Sequence, residues 1–236
     1  MIISHKYKFI YIKSSKTAGT SLEVYLSQVC DKKDVFTPIY PSSSKHVPRN
    51  HKGFFNPVCE LSEFGVSDIR SITSDLVNRR KYYNHITARR LRCRLDNDTW
   101  SKYLKFTVER NPFDKVFSMY KMLNFRRNGK LSLAEFFDEG LFLRAKNYKY
   151  YADSEGNIIV DKILRYENLD DELNNLFSKL GIPFFGSLDE NEKSSYSAID
   201  GTYKEVFTEE QLAKIRISYS DEIALAENNF SLTIQE

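Results

Sequence analysis

Residues 8–21, KFIYIKSSKTAGTS, decide the fold class of this chain. The β-branched and aromatic side chains of residues 8–12 predict a strand, and the Ser, Thr and Gly residues after them predict a loop. Leu22, Leu26 and Val29 then recur at helical spacing, which predicts a helix. The stretch therefore encodes a strand, a loop and a helix in succession.

Two further stretches follow the same plan. Residues 103–118, YLKFTVERNPFDKVFS, alternate apolar and polar residues before Pro112, which suits the first position of a helix. Residues 160–181, VDKILRYENLDDELNNLFSKLG, pass from an apolar segment into a helix that ends at Gly181. Three such units predict an α/β fold in which helices flank a parallel β-sheet.

The remaining segments are less regular. Residues 31–75 carry a broken hydrophobic pattern and are expected to run over one edge of the sheet. Residues 85–95, HITARRLRCRL, predict a helix, and capping boxes begin further helices at Ser132 and at Thr208. Because no repeat or linker interrupts the pattern, residues 1–236 are predicted to form a single domain.

Composition limits the classes of function. The chain has 236 residues, and its 35 basic and 32 acidic residues give a net charge of only +3, so no nucleic-acid partner is expected from overall charge. The spacing of the three cysteines and four histidines predicts neither a metal site nor a disulfide framework. No leader or long apolar run is present, which predicts a cytoplasmic protein without a membrane span. Nothing in the composition indicates the oligomeric state.

The loop after the first strand is a candidate anion site. A loop with Gly19 at the start of a helix directs backbone N–H groups toward one point, where the helix N-terminus adds positive potential. Lys16 adds a full charge, and Thr17, Thr20 and Ser21 add hydroxyl donors. A phosphate or sulfate group fits these donors. The alternative is a plain strand–turn–helix junction in which Lys16 is solvated.

The loop resembles a known phosphosulfate-binding loop. It departs from the nucleotide loop G-x-x-x-x-G-K-[ST], because Lys16 precedes the glycine. YIKSSKTAGTSLE instead resembles the PKTAGTS loop of carbohydrate sulfotransferases, such as the heparan-sulfate 2-O-sulfotransferases, although Ser15 stands where they commonly have proline. The resemblance implies a P-loop-like sulfotransferase fold that binds 3′-phosphoadenosine-5′-phosphosulfate (PAPS) and releases the product PAP. The donor-binding residues it implies here are Lys16, Thr17, Ala18, Gly19, Thr20 and Ser21.

Other segments extend the resemblance. VERNPFDKVFSMY is similar to the family element in which an Arg, and a Ser eight positions later, bind the 3′-phosphate, and this implies that role for Arg110 and Ser118. The alternative for Arg110 is a simple ion pair with Asp114. NEKSSYS is similar to the loop that closes over the nucleotide, which implies Lys193 and Ser194. Residues 84–106, 163–182 and 203–211 also resemble family segments.

Sulfuryl transfer requires a base for the acceptor hydroxyl and a cation for the departing phosphate. Lys16 suits the second role. Related sulfotransferases place a histidine in the segment that resembles NHITARRL, which implies His85 as the base. A surface or capping role is the alternative for His85, and the competing candidates for the base are His46, His51, Glu60 and Glu167. No metal is expected to take part.

The resulting prediction is in-line transfer of a sulfuryl group from PAPS to a hydroxyl of a sugar or polysaccharide. One rival is a P-loop-like, nucleotide-dependent kinase, and another is a nucleic-acid-binding module that uses clustered basic residues. These residues could also attract an anionic glycan or be merely solvated. They are Arg79, Arg80, Lys81, Arg89, Arg90, Arg92 and Arg94.

Overall fold

The computed structural model describes residues 1–188 and 201–227. Within these residues five strands form one sheet in the order β3-β1-β2-β4-β5. Strands β2, β4 and β5 are parallel to one another, whereas β1 is antiparallel to both β2 and β3. The strands are β1 (Ile2–Ser4), β2 (Phe9–Tyr11), β3 (Val35–Phe36), β4 (Leu104–Glu109) and β5 (Lys162–Arg165).

The α/β class with helices flanking a sheet is confirmed, but the prediction of a parallel sheet is wrong because the sheet is mixed. The chain reverses at residues 5–8, where Lys8 has a φ of 56°. Strand β1 therefore lies beside β2, with Ile2 opposite Tyr11 and Ser4 opposite Phe9. A connection this short can join only antiparallel strands.

The helices are α1 (Gly19–Val29), α2 (Val58–Phe64), α3 (Ile69–Val77), α4 (Ala88–Arg94), α5 (Asn97–Lys102), α6 (Pro112–Arg126), α7 (Leu133–Asp138), α8 (Tyr148–Tyr151), α9 (Leu169–Leu180), α10 (Tyr203–Val206), α11 (Glu209–Ser218) and α12 (Ser220–Glu227). Short 3₁₀ turns lie at Val66–Asp68, Leu141–Ala145 and Tyr166–Asn168.

The helix ends follow local signals. Gly181 ends α9 with a φ of 67°, and capping boxes begin α7 at Ser132 and α11 at Thr208, as predicted. The helix predicted over residues 85–95 is shorter, because the Thr87 side chain caps α4 and leaves His85 in the preceding loop.

Alternate residues of the strands bury opposite faces of the sheet. Phe9 and Phe106 pack in the cluster that includes residues of α1 and α9. Ile10 and Ile163 pack in the cluster that includes residues of α4 and α8. Because β2 and β4 are parallel neighbours, the segments after them emerge at the same edge of the sheet, and this edge carries the candidate site.

Residues 31–75 contain β3, α2 and most of α3 rather than an irregular excursion alone. Cys59 of α2 is disulfide-bonded to Cys93 of α4, with 5.3 Å between their Cα atoms, so the prediction of no disulfide is wrong. The two cysteines are 34 residues apart, and only the packing of α2 against α4 brings them together. Within residues 1–188 and 201–227, no helix combines the length and apolarity that crossing a membrane requires.

Candidate functional site

The loop between β2 and α1 has an unusual backbone. Lys16 and Ala18 have positive φ values of 62° and 57°, and α1 begins directly afterwards at Gly19. Non-glycine residues rarely adopt this conformation, which costs of order 1–3 kcal/mol per residue. Left-handed residues in such a loop turn successive N–H groups toward a common point, which makes a cradle for an anion.

Gly19 is required by close packing rather than by its φ value. A Cβ atom there would lie 2.8 Å from Cγ and 2.9 Å from Cε of Lys13. The Lys13 side chain cannot easily withdraw, because its Nζ is buried and donates to Glu23 Oε2 at 2.5 Å and to Thr20 Oγ1 at 3.2 Å. The backbone thus passes directly over an immobilised lysine.

Two loop hydroxyls are engaged within the protein. The Ser14 hydroxyl donates to the Val108 carbonyl and lies 2.7 Å from Thr17 Oγ1. Because Ser14 has a single hydroxyl proton, Thr17 donates its own proton to Ser14. Thr17 can therefore offer an anion only its backbone N–H. Thr20 accepts from Lys13 and keeps its own proton for donation.

The second predicted element lies at the end of β4. The Asn111 side chain accepts from the N–H of Phe113, and Pro112 occupies the first position of α6. The Arg110 guanidinium lies over the Tyr166 ring, 4.3 Å from its centroid. This cation–π contact restrains the position of the guanidinium. Ser118 lies half-buried on α6.

A cavity of about 520 Å³ joins these elements, a volume in the range of ligand sites. Every predicted site residue that the structure describes lines it. The predicted residues in its wall are Lys16, Thr17, Ala18, Gly19, Thr20, Ser21, His85, Arg110 and Ser118. Lys193 and Ser194 lie outside the described residues.

The cavity wall is rich in positive charge. Lys16, Arg110, Lys121 and Arg126 line it, and among the described residues that form its wall there is no Asp or Glu. The pKa of Lys16 is lowered to about 8, first by burial and then by the charges of Arg110 and Arg126. An anion placed among these cations would relieve their mutual repulsion.

His85 lies in the loop before α4, with a φ of 57°. Its Nδ1 is 3.1 Å from the carbonyl oxygen of Lys13. Because a carbonyl only accepts, Nδ1 carries the proton and Nε2 keeps its lone pair. Burial, with a smaller effect of the Lys13 charge, lowers the pKa of His85 to about 4, so the ring is neutral at physiological pH.

The competing bases lie elsewhere. His46 is buried, with its two ring nitrogens 2.5 Å from Ser27 Oγ and 2.8 Å from the Thr37 carbonyl oxygen. His51 does not line the cavity. Glu60 pairs with Arg94 in the protein interior, and Glu167 accepts the backbone N–H of Asn111 at 2.7 Å. His85 is thus the only one of the four histidines in the cavity wall.

The arginine runs are largely paired with carboxylates. The basic residues on and before α4 meet acidic side chains of α2, α3 and the turn between them. The pairs are Arg80–Asp75, Arg89–Glu63, Arg90–Glu60, Arg90–Asp68, Arg92–Glu63, Arg94–Glu60 and Arg94–Asp75. These ion pairs attach the α2–α3 segment to the rest of the fold.

Sequence reasoning missed several residues of the cavity wall. Lys121, Met122 and Arg126 follow Ser118 on α6 at steps of three, four and eight residues, so they share its face. That spacing predicts that these three residues line the same site as Ser118. Tyr40 and Asn84 also line the cavity, and no sequence pattern singled them out.

These observations define an α/β protein with a cation-lined cavity at the carboxyl ends of parallel strands. No family model matches the chain, and no solved structure matches it. An uncharacterized protein of Archaeoglobus fulgidus is 33% identical to it over 119 residues, which are 49% of this chain and 95% of the archaeal one. The chain therefore belongs to the same family as this archaeal protein. Because that relative is uncharacterized, the match brings no activity with it.

Proposed function

We propose that this protein is a PAPS-dependent sulfotransferase with a sulfotransferase fold, and that it modifies a hydroxyl of a sugar or polysaccharide. The observation that carries the proposal is the shared cavity. The loop that resembles a phosphosulfate loop, the pair Arg110 and Ser118, and His85 come from three separate parts of the chain and line one cavity. Parallel pairing of β2 with β4 alone would bring the loop and Arg110 together, but it gives no reason for His85, in the loop before α4, to join them.

The residues of the cavity suit the donor's two anionic ends. Lys16 and the backbone N–H groups up to Ser21 would hold the phosphosulfate, and Arg110 with Ser118 would hold the 3′-phosphate. PAPS supplies an activated sulfuryl group when it is bound. Lys16 would then stabilise the negative charge that develops on the departing phosphate.

His85 suits the role of general base. Its Nε2 keeps a lone pair, because the Lys13 carbonyl holds the proton on Nδ1. The acceptor hydroxyl would pass its proton to Nε2 as its oxygen attacks sulfur. Since the pKa of His85 lies at about 4, the base would be competent throughout the neutral range and would be lost only in acid.

Ligand-induced stabilisation tests the proposal. PAP should raise the melting temperature of the protein without magnesium, whereas ATP with magnesium should do little. Lys16→Ala should abolish the effect of PAP, and Lys102→Ala, which removes an exposed lysine on α5 that does not line the cavity, should keep it. Transfer of label from radiolabelled PAPS to a panel of desulfated glycans would then identify the acceptor.

The same experiments would recognise the rival functions. Stabilisation by ATP with magnesium but not by PAP would favour a kinase. Salt-dependent binding of DNA or RNA would favour a nucleic-acid module, although the carboxylate pairing of the α4 arginines weighs against it. A single domain, a cytoplasmic location and a reaction without metal remain predictions alongside the proposal.

A further inference from the structure

The Asn147 side chain contacts both backbone polar groups of Ser15. Asn147 lies just before α8 and is fully buried. Its Oδ1 accepts the N–H of Ser15 at 2.8 Å, and its Nδ2 donates to the Ser15 carbonyl at 3.0 Å. The two residues are 132 positions apart in the chain. One side chain therefore replaces the pair of hydrogen bonds that a neighbouring strand would offer to Ser15.

Asn147 is itself held by a buried charge network. Its Nδ2 lies 3.2 Å from Glu109 Oε1, and its backbone N–H donates to Glu222 Oε1 at 2.5 Å. Lys115 Nζ bridges the two carboxylates at 2.6 Å and 2.5 Å. Because all four side chains are buried, the amide of Asn147 has little freedom to turn away from the loop.

The clamped residue stands next to the strained part of the loop. Ser15 directly precedes Lys16, whose φ of 62° is unfavourable for a lysine. Such a conformation persists only where surrounding contacts hold it. We infer that Asn147 is a positioning residue that holds this loop in its anion-binding shape. The identity of the anion rests on the proposed function, whereas the clamp itself does not.

Ser15 is also the position where the loop departs from the carbohydrate sulfotransferases, which commonly have proline there. Proline has no N–H and could not donate to Asn147, but its ring would stiffen the loop directly. In this chain the amide contact of Asn147 performs the stiffening. The proline ring and the Asn147 contact are alternative ways to stiffen the loop. A variant that combines Ser15→Pro with Asn147→Ala tests this.

Hydrogen exchange of the ligand-free protein tests the clamp. In Asn147→Ala, amide exchange of residues 15–21 should become faster. The matched control is Tyr151→Phe, which removes a buried hydroxyl that donates to Glu109 Oε2 at 2.8 Å without touching the loop. The control should exchange like the wild type in residues 15–21, even if both variants melt earlier. Unchanged exchange in Asn147→Ala, or equal acceleration in Tyr151→Phe, would overturn the inference.

Calorimetric titration of PAP supplies the second readout. Asn147→Ala should raise the dissociation constant by up to roughly 10- to 100-fold, because binding must then supply the free energy of loop ordering that the two buried hydrogen bonds provide in the wild type. Because a proline ring would stiffen the loop in place of the amide contact, Ser15→Pro should bind PAP much as the wild type does and should restore binding in the Asn147→Ala background. A double variant that binds as weakly as Asn147→Ala alone would contradict the clamp, and if Asn147→Ala does not fold, Asn147→Ser takes its place in the same comparison.

The two readouts separate the inference from the proposed function. If wild-type protein does not bind PAP while exchange in Asn147→Ala is faster as described, the proposed function fails and the clamp stands. If wild-type protein binds PAP while Asn147→Ala changes neither exchange nor affinity, the clamp fails and the proposed function stands.

Discussion

Replacing Arg126 with glutamine should raise the pH at which the cavity begins to lose its affinity for an anion. The pKa of Lys16 is about 8, compared with 10.5 for an ordinary lysine. Burial is the largest cause, and the charges of Arg110 and Arg126 follow. An anion binds the protonated amine, so above pH 8 each binding event must take up a proton that the free protein has already released.

The magnitude follows from proton linkage. Below pH 8, titration of Lys16 should leave the dissociation constant of PAP unchanged, and above pH 8 the constant should rise up to about tenfold per pH unit. In Arg126→Gln one of the two repelling charges is absent, so the pKa of Lys16 rises. It should stay below 10.5, because burial remains. The pH at which the constant begins to rise should therefore lie between about 8 and 10.5 in this variant.

Isothermal titration of PAP at constant ionic strength between about pH 7 and pH 10 measures this change. Lys121→Gln is the matched control, because Lys121 lines the same cavity on the same helix but is not a cause of the lowered pKa of Lys16. Both variants should bind more weakly at neutral pH, and only Arg126→Gln should shift the onset. An unshifted onset in Arg126→Gln, or an equal shift in Lys121→Gln, would refute the reasoning.

Three further outcomes are expected. His85→Ala should lower turnover roughly 100-fold or more, measured by kinetics, with little change in PAP binding, measured by calorimetry. Normal turnover in this variant would show that His85 is not the base. Arg110→Ala should weaken PAPS binding roughly 10- to 100-fold while leaving adenosine phosphosulfate nearly unaffected, and Ser118→Ala should do the same more weakly; equal losses for both nucleotides would place the 3′-phosphate elsewhere. Gly19→Ala should cost about 1–3 kcal/mol of unfolding free energy, because its Cβ would lie 2.8 Å from Lys13, and chemical denaturation with wild-type stability would contradict that contact.

The elements that the sequence predicted well are those with local signals. Strands β2, β4 and β5 are each followed by a helix, as the three repeated units indicated. A residue that is typical of helix ends marks each boundary: Gly19 is the first residue of α1, Pro112 is the first residue of α6 and Gly181 directly follows α9. Such signals depend on a few neighbouring residues, and a single sequence is enough to read them.

The errors concern contacts between distant or very short segments. Strand β1 makes the sheet mixed, and the reversal at residues 5–8 that pairs it with β2 contains no Gly, Pro, Asn or Asp that would signal a turn. The Cys59–Cys93 bond depends on how α2 folds back against α4. The pattern of residues 85–95 places His85 in a helix, but the Thr87 side chain caps α4, so the helix begins at Ala88 and His85 lies before it.

The candidate site was predictable where it follows the strands. The loop between β2 and α1 follows β2 directly, and Arg110 follows β4 directly. Because β2 and β4 are adjacent and parallel, these two positions lie together. The prediction of His85 as a site residue rests on the resemblance to sulfotransferases and not on the order of strands. Asn147 could not have been found, since no pattern within one chain connects it with a residue 132 positions away.

The hydrogen bonds of the loop lead us to expect that its backbone shape contributes more to anion binding than its polar side chains. The Thr17 hydroxyl donates a hydrogen bond to Ser14, and the Lys13 amine donates to Glu23 and Thr20. The Thr17 hydroxyl and the Lys13 amine therefore stabilise the loop and are not available to a ligand. An anion held at this loop, as distinct from the Arg110 end of the cavity, would then meet mainly backbone N–H groups, the Lys16 amine and the Thr20 hydroxyl. Backbone donors can converge only while the left-handed residues keep their positive φ values. We therefore expect contacts that hold the backbone, such as that of Asn147 with Ser15, to affect affinity for an anion alongside the residues that would touch it.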